Sequence, residues 1–224
     1  AGLVRSEYGV SGFKDLRNTK DEVKKIEKTL VDNGFSVKAY LGSKGNAESF
    51  VALDGKSPSI VHIATHGFYY TPDEAIDKDF LRGYTYAMSL SGLVFAGGNA
   101  AWLGKKNVDG VLGGVLTAKD IANLDFKGTD LLVLSACKTG QGKVTAEGVF
   151  GLQRAFKKAG VGTIIMSLWN VDDKVTSEFM VAFYEQLTDK ANNWNKRKAF
   201  EQTKEIIRKK HPDPYYWAAF VMLD

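Results

Sequence analysis

The stretch "DLLVLSACKTG", residues 130–140, decides how this chain is read. Four apolar residues in a row, Leu131 to Leu134, describe a strand covered on both faces, which is the habit of a parallel sheet lying between helices. The strand runs into Ser135, Ala136 and Cys137, and Cys137 is the single cysteine of the chain. Such sheets do their chemistry at the carboxyl ends of their strands, so the thiol is placed either to pack or to react.

Outward from that strand, helices and strands alternate. Upstream, "SIVHIAT" (59–65) is apolar, β-branched and short, as a central strand should be. Downstream, "AEGVFGLQRAFKKAG" (146–160) sets Val149, Leu152, Ala155 and Phe156 on one helical face and stops at Gly160, before the strand "GTIIMSLW" (162–169). "DDKVTSEFMVAFYEQL" (172–187) repeats the pattern, with Asp172 or Asp173 as cap and Val175, Phe179, Phe183 and Leu187 on a buried stripe. A last helix runs through Phe200 and Ile206 to Lys210 and leads into "PYYWAAFVML" (214–223).

The amino-terminal part follows the same rhythm. Thr19 or Asp21 is expected to cap a helix with Val23, Ile26 and Leu30 on its apolar side, closed by Asn33 and Gly34. "FSVKAY" (35–40) is expected to be a strand and "NAESFVAL" (46–53) a short helix. In "LTAKDIANLDF" (116–126), Thr117 and Asp120 have capping-box spacing, although an aspartate replaces the usual Glu or Gln. Residues 68–114 are rich in glycine, aromatics and small polar residues, with "SGLVFAG" (91–97) as the one strand-like island. They are expected to form a long functional excursion. The fold class implied is α/β, a mostly parallel sheet sandwiched between helices.

Composition narrows the function classes. With 44% hydrophobic and 25% charged residues in 224, the chain is an ordinary globular one. One cysteine cannot form an internal disulfide, and no run of about 18 apolar residues or signal-peptide pattern is present. A soluble, cytoplasmic protein with no membrane association is therefore expected. Because the chain opens at Ala1, it is expected to be the carboxy-terminal piece of a longer one. The net charge of +4 is concentrated in "NKRKAFEQTKEIIRKK" (195–210), where Glu201 and Glu205 dilute the lysines and arginines. This reads as a solvated helix face, with no aromatic interleaving for direct nucleic-acid binding.

Two strand ends carry reactive side chains. His66 and Gly67 follow "SIVHIAT", and Cys137 follows the strand after the excursion. If these strands are neighbours, an imidazole and a thiol meet although about 70 residues separate them, which is how cysteine-histidine pairs are built. Competing chemistries fail on spacing. For a phosphate loop around "TGQGKV", Cys137 stands where a glycine is required and Val144 where a Ser or Thr is. The dinucleotide fingerprint breaks at Thr145, and no GxSxG elbow exists. His62 and His66 would lie about 13 Å apart on one strand without a further ligand, so no metal or other cofactor is expected. His62 reads as structural, Ser135 and Ala136 as making room, and Gly140 and Gly142 as a tight turn.

The blocks "HIATHG", "SGLVFAGGN", "DGVLGGVLTAKDI", "LLVLSACKTGQG", "GVFGLQRAFKKAGVGTIIMSLWNVDD" and "YYWAAFVML" together resemble the CHAT domain, a caspase-like cysteine peptidase domain often found behind tetratricopeptide repeats in bacteria. They occur in the right order over roughly residues 12–224. The resemblance implies one peptidase domain over 1–224 with the caspase-haemoglobinase fold, and a catalytic dyad of His66 and Cys137. The acidic residue usual after "SACKTG" is met by Glu147. An oxyanion hole from the backbone N–H groups of Gly67 and Cys137 would follow, since a side chain after His66 would crowd the substrate carbonyl.

In relatives of this fold the primary pocket comes from the region of "SLWNVDD" (167–173). There Asp172, or Asp173, would select a basic residue before the cut, and Trp169 would form a wall. The resemblance further implies a protein substrate, an upstream tetratricopeptide-repeat (TPR) or sensor domain, and a setting in bacterial defence or cell death. A gasdermin-like or CRISPR-associated protein would then be the partner. The competing reading is a catalytically inactive caspase-like scaffold. A third, a cysteine hydrolase or acyltransferase acting on small substrates, fits the long excursion less well.

Overall fold

The structure is a computed structural model and describes residues 12–14, 16–69, 88, 91–102, 114–135 and 146–224. Its centre is a four-stranded sheet in the order β1 (Ile60–Ile63), β5 (Leu131–Leu134), β6 (Thr163–Ser167), β7 (Phe220–Leu223). The first three strands run parallel and β7 closes the edge antiparallel, so the sheet is mostly parallel, as expected. A three-stranded antiparallel sheet, β2 (His66–Tyr69), β3 (Ser91–Val94) and β4 (Val115–Thr117), grows out of the end of β1. The island at 91–97 is thus a strand, but the sequence reading missed β2 and β4 on either side of it.

Helices cover both faces of the central sheet because its strands alternate. Val61, Ile63, Leu132, Leu134, Ile164 and Met166 pack with α2 (Ala47–Val51), α4 (Ala118–Ile121) and α5 (Ala146–Lys158). Ile60, Leu131, Val133 and Ile165 pack with α1 (Thr19–Asp32), α6 (Asp173–Thr188) and α7 (Lys196–Lys210). Two further short helices are α3 (Gly98–Trp102) and α8 (Pro214–Trp217). None of these is long and apolar enough to cross a membrane.

Local chemistry explains most boundaries. The Thr117 hydroxyl accepts from the Asp120 N–H while the Asp120 carboxylate accepts from the Thr117 N–H, so aspartate closes the capping box. Gly160, at φ +100°, ends α5, and the Val161 N–H reaches back to the Phe156 carbonyl. On α6, Val175, Phe179, Phe183 and Leu187 are all buried.

Three expectations need correction. The residue before α1 is Asn18, whose side chain bonds to Asp173 instead of capping its own helix, so neither Thr19 nor Asp21 is the cap. The buried stripe of α1 is Glu22, Ile26 and Leu30, with Val23 only half-buried. Residues 35–40 keep a strand's two-residue alternation, with Phe35, Val37 and Ala39 half-buried, yet among the described residues they pair with no strand. A cavity of about 1380 Å³ is lined by this segment, by α1 and by residues 58–66.

Candidate active site

The parallel pairing of β1 with β5 sets the geometry. Ile63 stands opposite Leu134, and the Ser135 N–H donates to the Ile63 carbonyl at 2.9 Å. His66 comes three residues after Ile63, and Cys137 three residues after Leu134. Cys137 itself, with Ala136, Gly140 and Gly142, lies outside the described residues, as do the side chains of Glu147 and Val149.

His66 opens β2, where its backbone pairs with Val94; the preceding Thr65 hydroxyl donates to the Val94 carbonyl. β1 and β2 are therefore separate strands, and His62 and His66 do not share one. The His66 side chain is 8% exposed. Its Nε2 lies 2.5 Å from the Lys14 carbonyl oxygen, and its ring packs on Phe13 at 5.2 Å between centroids. A carbonyl only accepts, so Nε2 carries the proton and Nδ1 is the basic nitrogen of the neutral ring. Gly67 is buried in β2 opposite Leu93.

The end of β6 holds the other expected residues. Asp172 is exposed and caps α6, its Oδ1 accepting from the N–H groups of Lys174 and Val175 at 3.0 and 3.2 Å. Asp173 Oδ2 accepts from the Asn18 backbone N–H at 3.1 Å and from Asn18 Nδ2 at 2.6 Å. The Trp169 indole N–H donates to the Tyr215 carbonyl at 2.9 Å, which holds the ring against the α6 face. Phe13 and Lys14 thus touch His66, and Asn18 touches Asp173.

His62 faces away from this edge. Its Nε2 lies 2.9 Å from Glu22 Oε1, and the Tyr184 hydroxyl lies 3.4 Å from its Nδ1. Burial, and then the charge of Glu22, raise the pKa of the Tyr184 phenol well above its ordinary value of 10.0, so it stays a donor. Glu22 was hidden in the sequence because it sits one position before the apparent apolar stripe.

The CHAT domain family model matches residues 7–224. The chain is also similar to tetratricopeptide repeat protein 28 of Homo sapiens, 32% identical over 111 residues, and to that of Mus musculus, 31% identical over 111 residues. Each match covers 49% of this chain and 4% of the relative, so the chain spans a small part of those relatives' length. A mostly parallel sheet between two helical layers, matched by the family model from residue 7 to residue 224, makes this chain a member of the CHAT domain family, which is caspase-like and related to peptidases.

Proposed function

We propose that the chain is a single cysteine-type endopeptidase domain in which His66 and Cys137 act together on a protein substrate. The observation that carries the reading is the pairing of Ile63 with Leu134, which aligns the segments leading into the histidine and the cysteine. Only two peptide units separate Ser135 from Cys137, a reach of about 7 Å at most.

In this reading the Cys137 thiol passes its proton to His66 Nδ1, its Sγ bonds as a thiolate to the scissile carbonyl carbon, and the carbonyl electron pair moves onto oxygen. The backbone N–H groups of Gly67 and Cys137 hold that oxyanion; loss of one such donor costs about 3 kcal/mol of transition-state stabilisation. The carbon–nitrogen bond then breaks as His66 Nδ1–H protonates the leaving amine. Water, losing its proton to Nδ1, attacks the thioester, releases the new carboxylate and restores the thiol.

Asp172 is the specificity residue of this reading, because its carboxylate is exposed beyond the carboxyl end of β6. It would select a basic residue before the cut, with the fixed Trp169 ring as a wall and Asp173 engaged by Asn18. Control by an upstream repeat or sensor domain belongs to the same proposal, supported by the tetratricopeptide-repeat name of the curated relatives. That name also favours the second reading, a non-catalytic interaction module, since repeat proteins bind partners on extended surfaces.

A diverse peptide library, read by mass spectrometry, tests the proposal. Cleavage by the wild-type chain that disappears in Cys137→Ala and His66→Ala, with a basic residue before the cut, is the expected result. In Asp172→Asn the basic preference should fall about tenfold or more. Products that persist in Cys137→Ala would sink the dyad, and silence of the wild type with its partner present would favour the interaction module.

A further inference from the structure

The His66 imidazole depends on a carbonyl that is itself held by one side chain. Asn99 Oδ1 accepts from the Phe13 N–H at 2.7 Å, and Asn99 Nδ2 donates to the Phe13 carbonyl at 2.9 Å. Both backbone groups of Phe13 are thereby satisfied by one carboxamide, the pairing a neighbouring strand would otherwise supply. One residue on, the Lys14 carbonyl accepts Nε2–H of His66, while the buried Phe13 ring lies on the imidazole.

The grip is close on its other side too. Gly12 has φ +66°, and a Cβ there would stand 2.7 Å from Asn99 Oδ1, so glycine is required on both counts. Asn99 is equally well placed from below. It follows β3, whose Val94 pairs with the His66 backbone, and Gly98, just before it, bonds back to the Phe95 carbonyl. A Cβ on Gly98 would meet Val94 Cγ1 at 2.5 Å and the Gly114 carbonyl oxygen at 2.8 Å, so the chain turns tightly there. β3 therefore pairs with the histidine's backbone and, five residues later, holds the acceptor for its side chain.

We propose that Asn99 is a positioning residue for His66: by gripping Phe13 it keeps the Lys14 carbonyl on Nε2–H, which fixes the tautomer and leaves Nδ1 as the proton-transferring nitrogen. Its effect on catalysis rests on the peptidase reading above, whereas its effect on the tautomer does not. A merely structural anchor for residues 12–18 would change stability and leave the imidazole as it was.

The test uses the 224-residue chain labelled with ¹⁵N-histidine, its His66 resonances assigned through His66→Ala. The wild type should hold His66 predominantly as the Nε2–H tautomer across the pH range where the ring is neutral. In Asn99→Ala the resonances should move to an exchange average of both tautomers. If cleavage has been found, kcat should fall on the order of 10- to 100-fold with KM nearly unchanged. Gly12→Ala, whose Cβ would stand 2.7 Å from the carboxamide oxygen and so push the same segment off the Asn99 grip, should reproduce both changes, and it carries the decision if Asn99→Ala does not fold. An unchanged His66 tautomer in a folded variant overturns the inference, whatever its activity. A shifted tautomer in a chain that cleaves nothing keeps the inference and removes the peptidase reading instead.

Discussion

The two faces of the central sheet are built on different terms. On one, β1, β5 and β6 contribute Val61, Ile63, Leu132, Leu134, Ile164 and Met166, all apolar, against the ring cluster of Phe50, Phe126 and Phe156. The other interleaves apolar residues with His62, Thr163 and Ser167, of which His62 meets Glu22 from α1 and Tyr184 from α6. Apolar burial rewards area and is nearly indifferent to small sliding of a helix. A 2.9 Å contact between a buried carboxylate and an imidazole is lost on such a slide, so the polar face fixes the register of α1 against β1. That register matters for function, since Lys14 and Asn18, just before α1, touch His66 and Asp173 respectively.

Three substitutions would break or sharpen this contrast. Phe156→Ala, at a fully buried ring, should cost about 3–5 kcal/mol in denaturant unfolding, from lost transfer energy plus a cavity. A cost below about 1 kcal/mol would mean that the apolar face is not close-packed. Glu22→Ala should cost about 1–3 kcal/mol, because it strands the His62 Nε2–H in the core. Combined with His62→Ala in a double-mutant cycle, it should show a coupling of about 0.5–3 kcal/mol. Strict additivity would remove the polar face's claim to set register.

The smallest effect concerns the rim of that face. Burial tends to raise the pKa of Glu178, but hydrogen bonds and charges from His211 and Lys210 outweigh it and hold the carboxyl below its ordinary 4.5. A depressed carboxylate adds stability that is present above the unfolded value and lost as pH falls through the folded one. Glu178→Gln should therefore narrow the stability difference between pH 7 and acid, with the change confined below about pH 4.5. Identical acid unfolding curves for the two proteins would exclude this contribution.

Much of the candidate site was readable because it depends on strand ends. Apolar runs at 60–63 and 131–134 announce buried strands, and whatever follows such strands in a parallel sheet faces one edge. His66 and Gly67 follow from that rule alone, as does Asp172 beyond β6. The capping box at Thr117 was readable as well, since caps are local, whereas at α1 the contact of Asn18 with Asp173 overrode the local signal. The supports of His66 were not: 86 residues separate Phe13 from Asn99, and 52 separate Lys14 from His66. No periodicity links such pairs, and the acceptor is a backbone carbonyl, which every residue possesses.

The sequence by itself determined the alternation of elements, the mostly parallel sheet, the cap at Thr117, a cap at Asp172 or Asp173, and a histidine following a central strand. These rest on interactions within a few residues and on periodic burial, both written directly in residue order. Only the tertiary structure decided that Glu22 enters the core, that residues 35–40 pair with no strand among the described residues, and that Lys14 meets His66 while Asn18 meets Asp173. Those outcomes depend on which surfaces meet in space, and packing selects among helix rotations and strand pairings that local preference leaves nearly equal in energy.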